Sequence, residues 1–257
     1  MRAVDKGEAP ETEYKKYQDA EPELEARIGA YCSFCEMSIK HVPEVEHREA
    51  KVAGGELLKW ENLLLSCKYC NTRKGTQVKK GDKENYLWPD EDDTFHAYLY
   101  DCDVPRLNEE YLDRKGTQEK EKADKLFQLL KLDHIPITPK DKDRRYRARN
   151  EARNYAIISK NGLKKMHTYP EREAYLEMIK NLALESGFFS VWMEIFKDDD
   201  EVKKILISSF KGTKEEFCGE IEYYIGSDCT NWNKTSKVIQ LLFNKRFGRD
   251  RCKVDPV

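Results

Sequence analysis

The sequence predicts an α+β chain: a small cysteine-stapled unit near the N-terminus, followed by a mainly α-helical region. Three observations predict it. Two Cys-x-x-Cys pairs, Cys32/Cys35 and Cys67/Cys70, fall within one stretch, residues 31–75. Between and after them the order reads strand, loop, strand, helix. Beyond about residue 105, apolar residues recur at helical spacing. This divides the chain into a first domain at 1–100, with its core at 31–75, and an α-helical domain at 101–257.

Taken in order, Glu11 to Ala30 is polar, with Tyr14, Tyr17, Leu24 and Ile28 spaced along it. It reads as a helix that delivers the chain into the first cysteine pair. Pro43 to Glu46 is short and β-prone, Ala53-Gly54-Gly55 signals a turn, and Leu57 to Ser66 reads as a second strand or irregular loop. The polar run after Cys67 reads as the first turns of a helix. Lys79 to Asp82 is a linker, Asp90 to Asp93 a solvated acidic loop, and Phe95 to Tyr100 a short strand. Lys120 to Leu132 places Ala123, Leu126, Phe127 and Leu130 on one face, and Pro136 and Pro139 end that helix. Asp141 to Lys160 is the next helix. Pro170 opens another, with Tyr175, Met178, Ile179 and Leu182 as its stripe. Phe188 to Phe196 belongs in the core. Asp198 to Asp200 cap a helix running to Phe210, Thr213 and Glu216 have capping-box spacing, and Lys234 to Phe247 is a last helix.

The charged fraction is 37%, the apolar fraction 39% and the net charge -2, which suits heavily charged helix surfaces. A near-neutral total leaves polyanion binding to local clusters. No run of eighteen apolar residues occurs, so no membrane span is expected. The N-terminal residues carry no apolar secretory segment, which points to the cytoplasm and reduced thiols. Cys102, Cys218, Cys229 and Cys252 are then ordinary thiols. A disulfide framework is the competing reading of the even cysteine count.

Thiolates at i and i+3 present two sulfurs from one tight turn, and zinc takes four such ligands in a tetrahedron. Cys32, Cys35, Cys67 and Cys70 therefore read as a structural zinc site. A closed site of this kind has no open coordination position, so chemistry must come from other groups. Glu46 supplies a hard oxygen ligand, and His47 a base with an unperturbed pKa of about 6.5. Asn71 supplies a second hard oxygen. Folded onto the zinc unit, Glu46 and Asn71 would converge on Mg2+, with His47 facing a water.

Cys32-x-x-Cys35, Glu46-His47, Trp60-Glu61-Asn62-Leu63-Leu64 and Cys67-x-x-Cys70-Asn71-x-x-Lys74-Gly75 together resemble the HNH endonucleases. That family is built on a ββα-metal, treble-clef-like unit. The resemblance implies metal-dependent hydrolysis of phosphodiester bonds in DNA. It makes His47 the general base, Glu46 and Asn71 the holders of a catalytic Mg2+ or Mn2+, and Asn62 the residue orienting the loop that carries His47. It puts Arg73 and Lys74 at the scissile backbone. There are departures: Asn71 stands as the third letter in place of His, Glu46 where many members have Asp, and Ala50 where a proline is common, though Lys51 remains beside it. More weakly, the Glu46-His47 pair, Trp60-Glu61-Asn62, the Tyr86 to Asp90 segment and the helical tail are similar to HNH subunits of bacterial antiphage systems, Septu and related retron systems. That likeness implies an SMC-like or ABC-type ATPase partner docked on the C-terminal helices.

Arg73, Lys74, Lys79 and Lys80 follow the second cysteine pair with no acid among residues 71–80, a strip suited to phosphate contacts. Lys51 near the motif, and Arg144 and Arg145 in an arginine-rich run that continues to Arg153, are further candidates. The reading opposed to that run is a solvated helix face. A third basic cluster runs from Lys245 to Lys253. Two other functions compete: an RNA-directed nuclease with the same site, and a non-catalytic zinc module binding nucleic acid or protein. Such a module would need the cysteines but not Glu46, His47 and Asn71 together.

Overall fold

In the computed structural model, which describes residues 1–218, β1 (Glu44–His47) pairs antiparallel with β2 (Leu63–Ser66). The register sets Val45 opposite Leu65 and His47 opposite Leu63. Strand alternation then sends Glu44 and Glu46 to one face of β1, and Val45 and His47 to the other. All four residues of β2 are buried, since α1 (Glu21–Ile28) packs against this strand. α2 (Lys68–Lys74) packs on β1, and its N-cap is Cys67, whose sulfur accepts the Cys70 N–H. The expected strand, loop, strand, helix order is thus present.

The rest is mainly helical: α3 (Thr94–Ala97), then the two-residue strands β3 (Tyr98–Leu99) and β4 (Arg106–Leu107), then α4 (Glu109–Lys115) and α5 (Thr117–Leu130). α6 (Arg145–Leu163), α7 (Tyr169–Ser186), α8 (Phe189–Ile195) and α9 (Asp200–Ser209) follow. All of these lie in one compact unit. One apolar cluster joins Leu24, Phe34, Leu63 and Trp88 to Leu126, Leu130 and Ala152, so it runs across residue 100. A second gathers Ile179, Trp192, Phe196, Leu206 and Phe210. Each fully buried side chain of this size stabilises the fold by about 1.5–3 kcal/mol. No helix among the described residues is long and apolar enough to cross a membrane.

Several elements differ from expectation, each for a local reason. Residues 11–16 are not helical; α1 starts only at Glu21, with Pro22 in its first turn, where the missing N–H costs nothing. Asp93 accepts the His96 N–H and so starts α3, leaving only Tyr98–Leu99 as strand. α6 begins at Arg145 rather than Asp141, because the Asp141 and Asp143 carboxylates accept the N–H groups of Asp143 and Arg145 in a non-helical path. The buried stripe of α7 is Leu176, Ile179 and Ala183, and Met178 is exposed. Thr213 forms no capping box; its hydroxyl donates to the Phe210 carbonyl. The run Asp90 to Asp93 is not a solvated loop. Asp90 is ion-paired with buried Lys6 at 2.7 Å, and Asp92 accepts the Trp88 N–H at 2.6 Å. The predicted helix at Lys234 to Phe247, the basic cluster beyond it, Cys229 and Cys252 lie outside the described residues.

The first cysteine pair is tied to the helical half by Glu36, in the left-handed region at φ 67° and buried. Its carboxylate accepts the N–H groups of Arg2 at 2.6 Å and Ser190 at 2.7 Å, and the Ser190 hydroxyl at 2.5 Å. Gly187, at φ 72°, closes this contact; a Cβ there would lie 2.6 Å from the Glu36 carbonyl oxygen. Only glycine meets both demands.

Candidate active site

The four cysteine sulfurs come together from the turn after residue 31 and from the start of α2. They lie within 4.8 Å of one another, and all four residues are buried. Cys35 and Cys67 are 3.6 Å apart at sulfur, close to the ~3.8 Å edge of a tetrahedron with ~2.3 Å zinc–sulfur bonds. Backbone N–H groups of Cys35 and Cys70 point at the sulfurs of Cys32 and Cys67, at 3.5 and 3.4 Å. Burial alone would push the Cys32 thiol up; hydrogen bonds from Cys35, Cys67 and Cys70 outweigh it and hold Cys32 well below the usual thiol range. A dry set of four soft donors at this spacing fits zinc.

The face of β1 that carries Glu44 and Glu46 meets α2 through two matched pairs. Asn71 Nδ2 donates to Glu44 Oε2 at 2.7 Å, and Lys74 Nζ donates to Glu46 Oε1 at 2.7 Å. Positions i and i+2 on a strand match i and i+3 on a helix, so the pairs sit side by side. Burial pushes the Glu46 carboxyl above the usual range, and the Lys74 ammonium opposes this only in part. Because the amide nitrogen of Asn71 donates to the Glu44 carboxylate, Oδ1 is the acceptor end of that amide. Across this one interface Glu46 is thus paired with Lys74, and Asn71 with Glu44.

His47 leaves the opposite face, at the end of the strand. Its Nε2 is 2.9 Å from the Leu57 carbonyl oxygen. A carbonyl only accepts, so Nε2 carries the proton, and Nδ1 of the neutral ring has a free lone pair. Burial lowers the His47 pKa below the ordinary imidazole value, the Leu57 bond opposes this, and Lys51 and Lys74 push it further down. The ring of Tyr17 lies 4.7 Å from that of His47 between centroids, and Lys51 Nζ sits 4.1 Å from the Tyr17 centroid.

Asn62, buried just before β2, closes the loop between His47 and Leu57. Its Oδ1 accepts the Glu49 N–H at 2.8 Å, and its Nδ2 donates to the carbonyls of Glu49 at 3.1 Å and Glu56 at 2.8 Å. Gly55 lets the loop fold on itself: a Cβ there would lie 2.1 Å from the Glu49 carbonyl oxygen. Asn62→Ala is expected to destabilise the chain by about 2–3 kcal/mol, since it strands buried backbone groups. Urea unfolding read by far-UV circular dichroism measures this; a midpoint unchanged from wild type would show the loop holds without the amide.

The cations expected at a phosphate backbone divide into two sets. Lys51 and Arg144 are exposed, and the Arg73 side chain is 31% exposed while lying 4.0 Å from Asp143. Lys74 and Arg145 are buried, which corrects the expectation that they meet nucleic acid. Lys74 is turned inward by Glu46, and Arg145 by Asp143 and the carbonyls of Leu130 and Lys131. Sequence reading missed Glu44 and Tyr17. The same-face rule on β1, applied from Glu46, finds Glu44. Nothing local marks Tyr17, which reaches His47 only through the tertiary fold.

Residues 32–77 match the family model described as HNH endonuclease. The matched stretch holds both cysteine pairs, β1, β2 and α2. No curated protein and no solved structure matches the chain.

Proposed function

We propose that this chain is a metal-dependent HNH endonuclease that hydrolyses phosphodiester bonds of DNA. The observation that carries the reading is the placement of Glu46 and His47 at the end of β1, with Asn71 facing that strand from α2, all inside the matched stretch. Consecutive strand residues lie on either side of the backbone. A phosphodiester laid across this strand end therefore meets Glu46 on one side and His47 on the other. Glu46 and Asn71 would hold Mg2+ or Mn2+, which when bound neutralises charge on the phosphate and the leaving oxygen. His47, fixed by the Leu57 carbonyl and flanked by Tyr17, accepts a proton from water at Nδ1. Asn62 keeps the loop between His47 and Leu57 in one shape. Lys51, Arg73 and Arg144 contribute sequence-independent backbone contacts.

A cleavage assay on plasmid DNA and on RNA, with and without Mg2+ or Mn2+, tests this. Metal-dependent nicking of DNA is expected. Cleavage confined to RNA would move the substrate class to RNA. No cleavage of either by protein carrying its full zinc and the added metal would favour a binding module.

We further propose that the nuclease serves bacterial antiphage defence with an ATPase partner. Supporting this, α6 and α7 leave apolar side chains in solvent, with Ile158 67% and Tyr169 78% exposed. Co-purification with the product of a neighbouring ATPase gene tests it; full, unrestrained activity alone with no complex would count against it.

A further inference from the structure

Four thiolates around a divalent ion leave a net double negative charge in a dry site. Burying such a charge without compensation is costly. The guanidinium of Arg145 on α6 lies beside it, and Arg149 follows one helical turn later. Arg145 and Arg149 are each 2% exposed. Arg145 Nη1 is 3.5 Å from the Cys70 sulfur and also donates to the Leu130 carbonyl at 2.9 Å. Its other N–H groups hold the Lys131 carbonyl and the Asp143 carboxylate. Arg149 gives only Nη2 to a carbonyl, that of Leu132 at 3.3 Å; its Nε and Nη1 are buried with no hydrogen-bond partner among the described residues.

A guanidinium cannot shed its proton in a protein, so a buried one needs an anion. The nearby acid, Glu36, is already filled by the Arg2 and Ser190 N–H groups and the Ser190 hydroxyl. Tyr100, also beside Arg149, is fully buried, and burial keeps its phenol protonated. What remains is the cysteine cluster, which Arg145, one turn earlier on the same helix, meets at the Cys70 sulfur.

We infer that α6 completes the metal site of the four cysteines. Arg145 and Arg149 supply its counter-charge from beyond the ligands, so metal binding and the docking of α6 are one event. The ligands come from residues 32–70, yet the charge that balances them comes from the helical half. Arg145 also grips the last carbonyls of α5, so the ends of α5, α6 and α2 meet at this one side chain. This holds whether or not the chain cuts nucleic acid; it requires only that the cysteines hold a divalent ion.

The test is zinc affinity of the full chain, measured by competition with a chromogenic chelator. Arg145→Met and Arg149→Met are expected to weaken it about 10- to 100-fold, the range typical of groups that support metal ligands. Arg147→Met, on the exposed side of α6, and Leu206→Ala, in the second apolar cluster, are expected to leave it unchanged. Affinities of the two arginine variants equal to wild type, or reduced no further than in Leu206→Ala, overturn the inference. Arg145→Lys guards against variants that do not fold. It keeps the charge but loses the planar fork. With Co2+ in place of zinc, its sulfur-to-cobalt charge-transfer band is expected at longer wavelength than in wild type, because one hydrogen bond to the Cys70 sulfur is lost. An unmoved band with unchanged affinity overturns the inference too.

Discussion

His47→Ala is expected to lower the rate of metal-dependent cleavage by about 10²- to 10⁴-fold, the usual contribution of a positioned general base. The zinc content should not change, because His47 lies on the face of β1 opposite the pairs that join it to α2. Stability should fall by only ~1–2 kcal/mol, since the ring is buried against Tyr17 and leaves a small cavity. His47→Gln separates chemistry from packing. Its amide can still donate to the Leu57 carbonyl, but it cannot take a proton from water. An equal rate loss in both variants, with wild-type zinc, is the expected result. A Gln variant that cuts at the wild-type rate would remove His47 from the reaction.

The second large effect is on folding. Cys67→Ser, or withdrawal of metal by a strong chelator, is expected to cost roughly 4–6 kcal/mol and to lower the melting temperature by about 10–20 °C. Zinc binding to short cysteine-rich units is worth more than this, about 10–16 kcal/mol. An unfolded chain with free thiols still holds some metal, which reduces the net effect. Cys67 is the sharpest single choice, because its sulfur is both a ligand and the cap of α2, and α2 carries Asn71 and Lys74. Metal analysis paired with thermal melting reads the result. A variant that loses its metal yet melts with wild type would show that the apolar core alone holds β1, β2 and α2 together.

The parts of the site legible in the sequence were those with fixed short spacing. The two cysteine pairs each need only a tight turn, and α2 begins at the second of them. Helices with a clear apolar stripe were also legible, as at Ala123, Leu126, Phe127 and Leu130, all buried on α5. The elements misread were those set by single side chain to backbone bonds. Asp93 turned an expected strand into the start of α3, and Asp141 and Asp143 delayed α6 by four residues from Asp141 to Arg145. Such bonds depend on local geometry that periodicity does not register.

Arg145 and Lys74 show the same division for charge. As sequence, both sit in basic runs that suit a phosphate strip. In the fold, Lys74 answers Glu46 from across β1, and Arg145 answers Asp143 and the Cys70 sulfur. Whether a cation faces solvent or the core depends on which side of its helix packs, and that is decided by partners far along the chain.

The sequence by itself therefore determined which side chains are close along the chain: four soft sulfurs in two i, i+3 pairs, an acid beside a histidine, and an amide after the last cysteine. Ligand type and tight-turn spacing are local properties, so they survive without a structure. Only the tertiary structure decided who stands opposite whom. The register of β1 against β2 puts Glu44 and Glu46 on the α2 side and His47 on the Tyr17 side. The packing of α6 sets Arg145 against the Cys70 sulfur. Those pairings follow from long-range burial, where each buried charge must find its partner, and no short window of sequence contains that constraint.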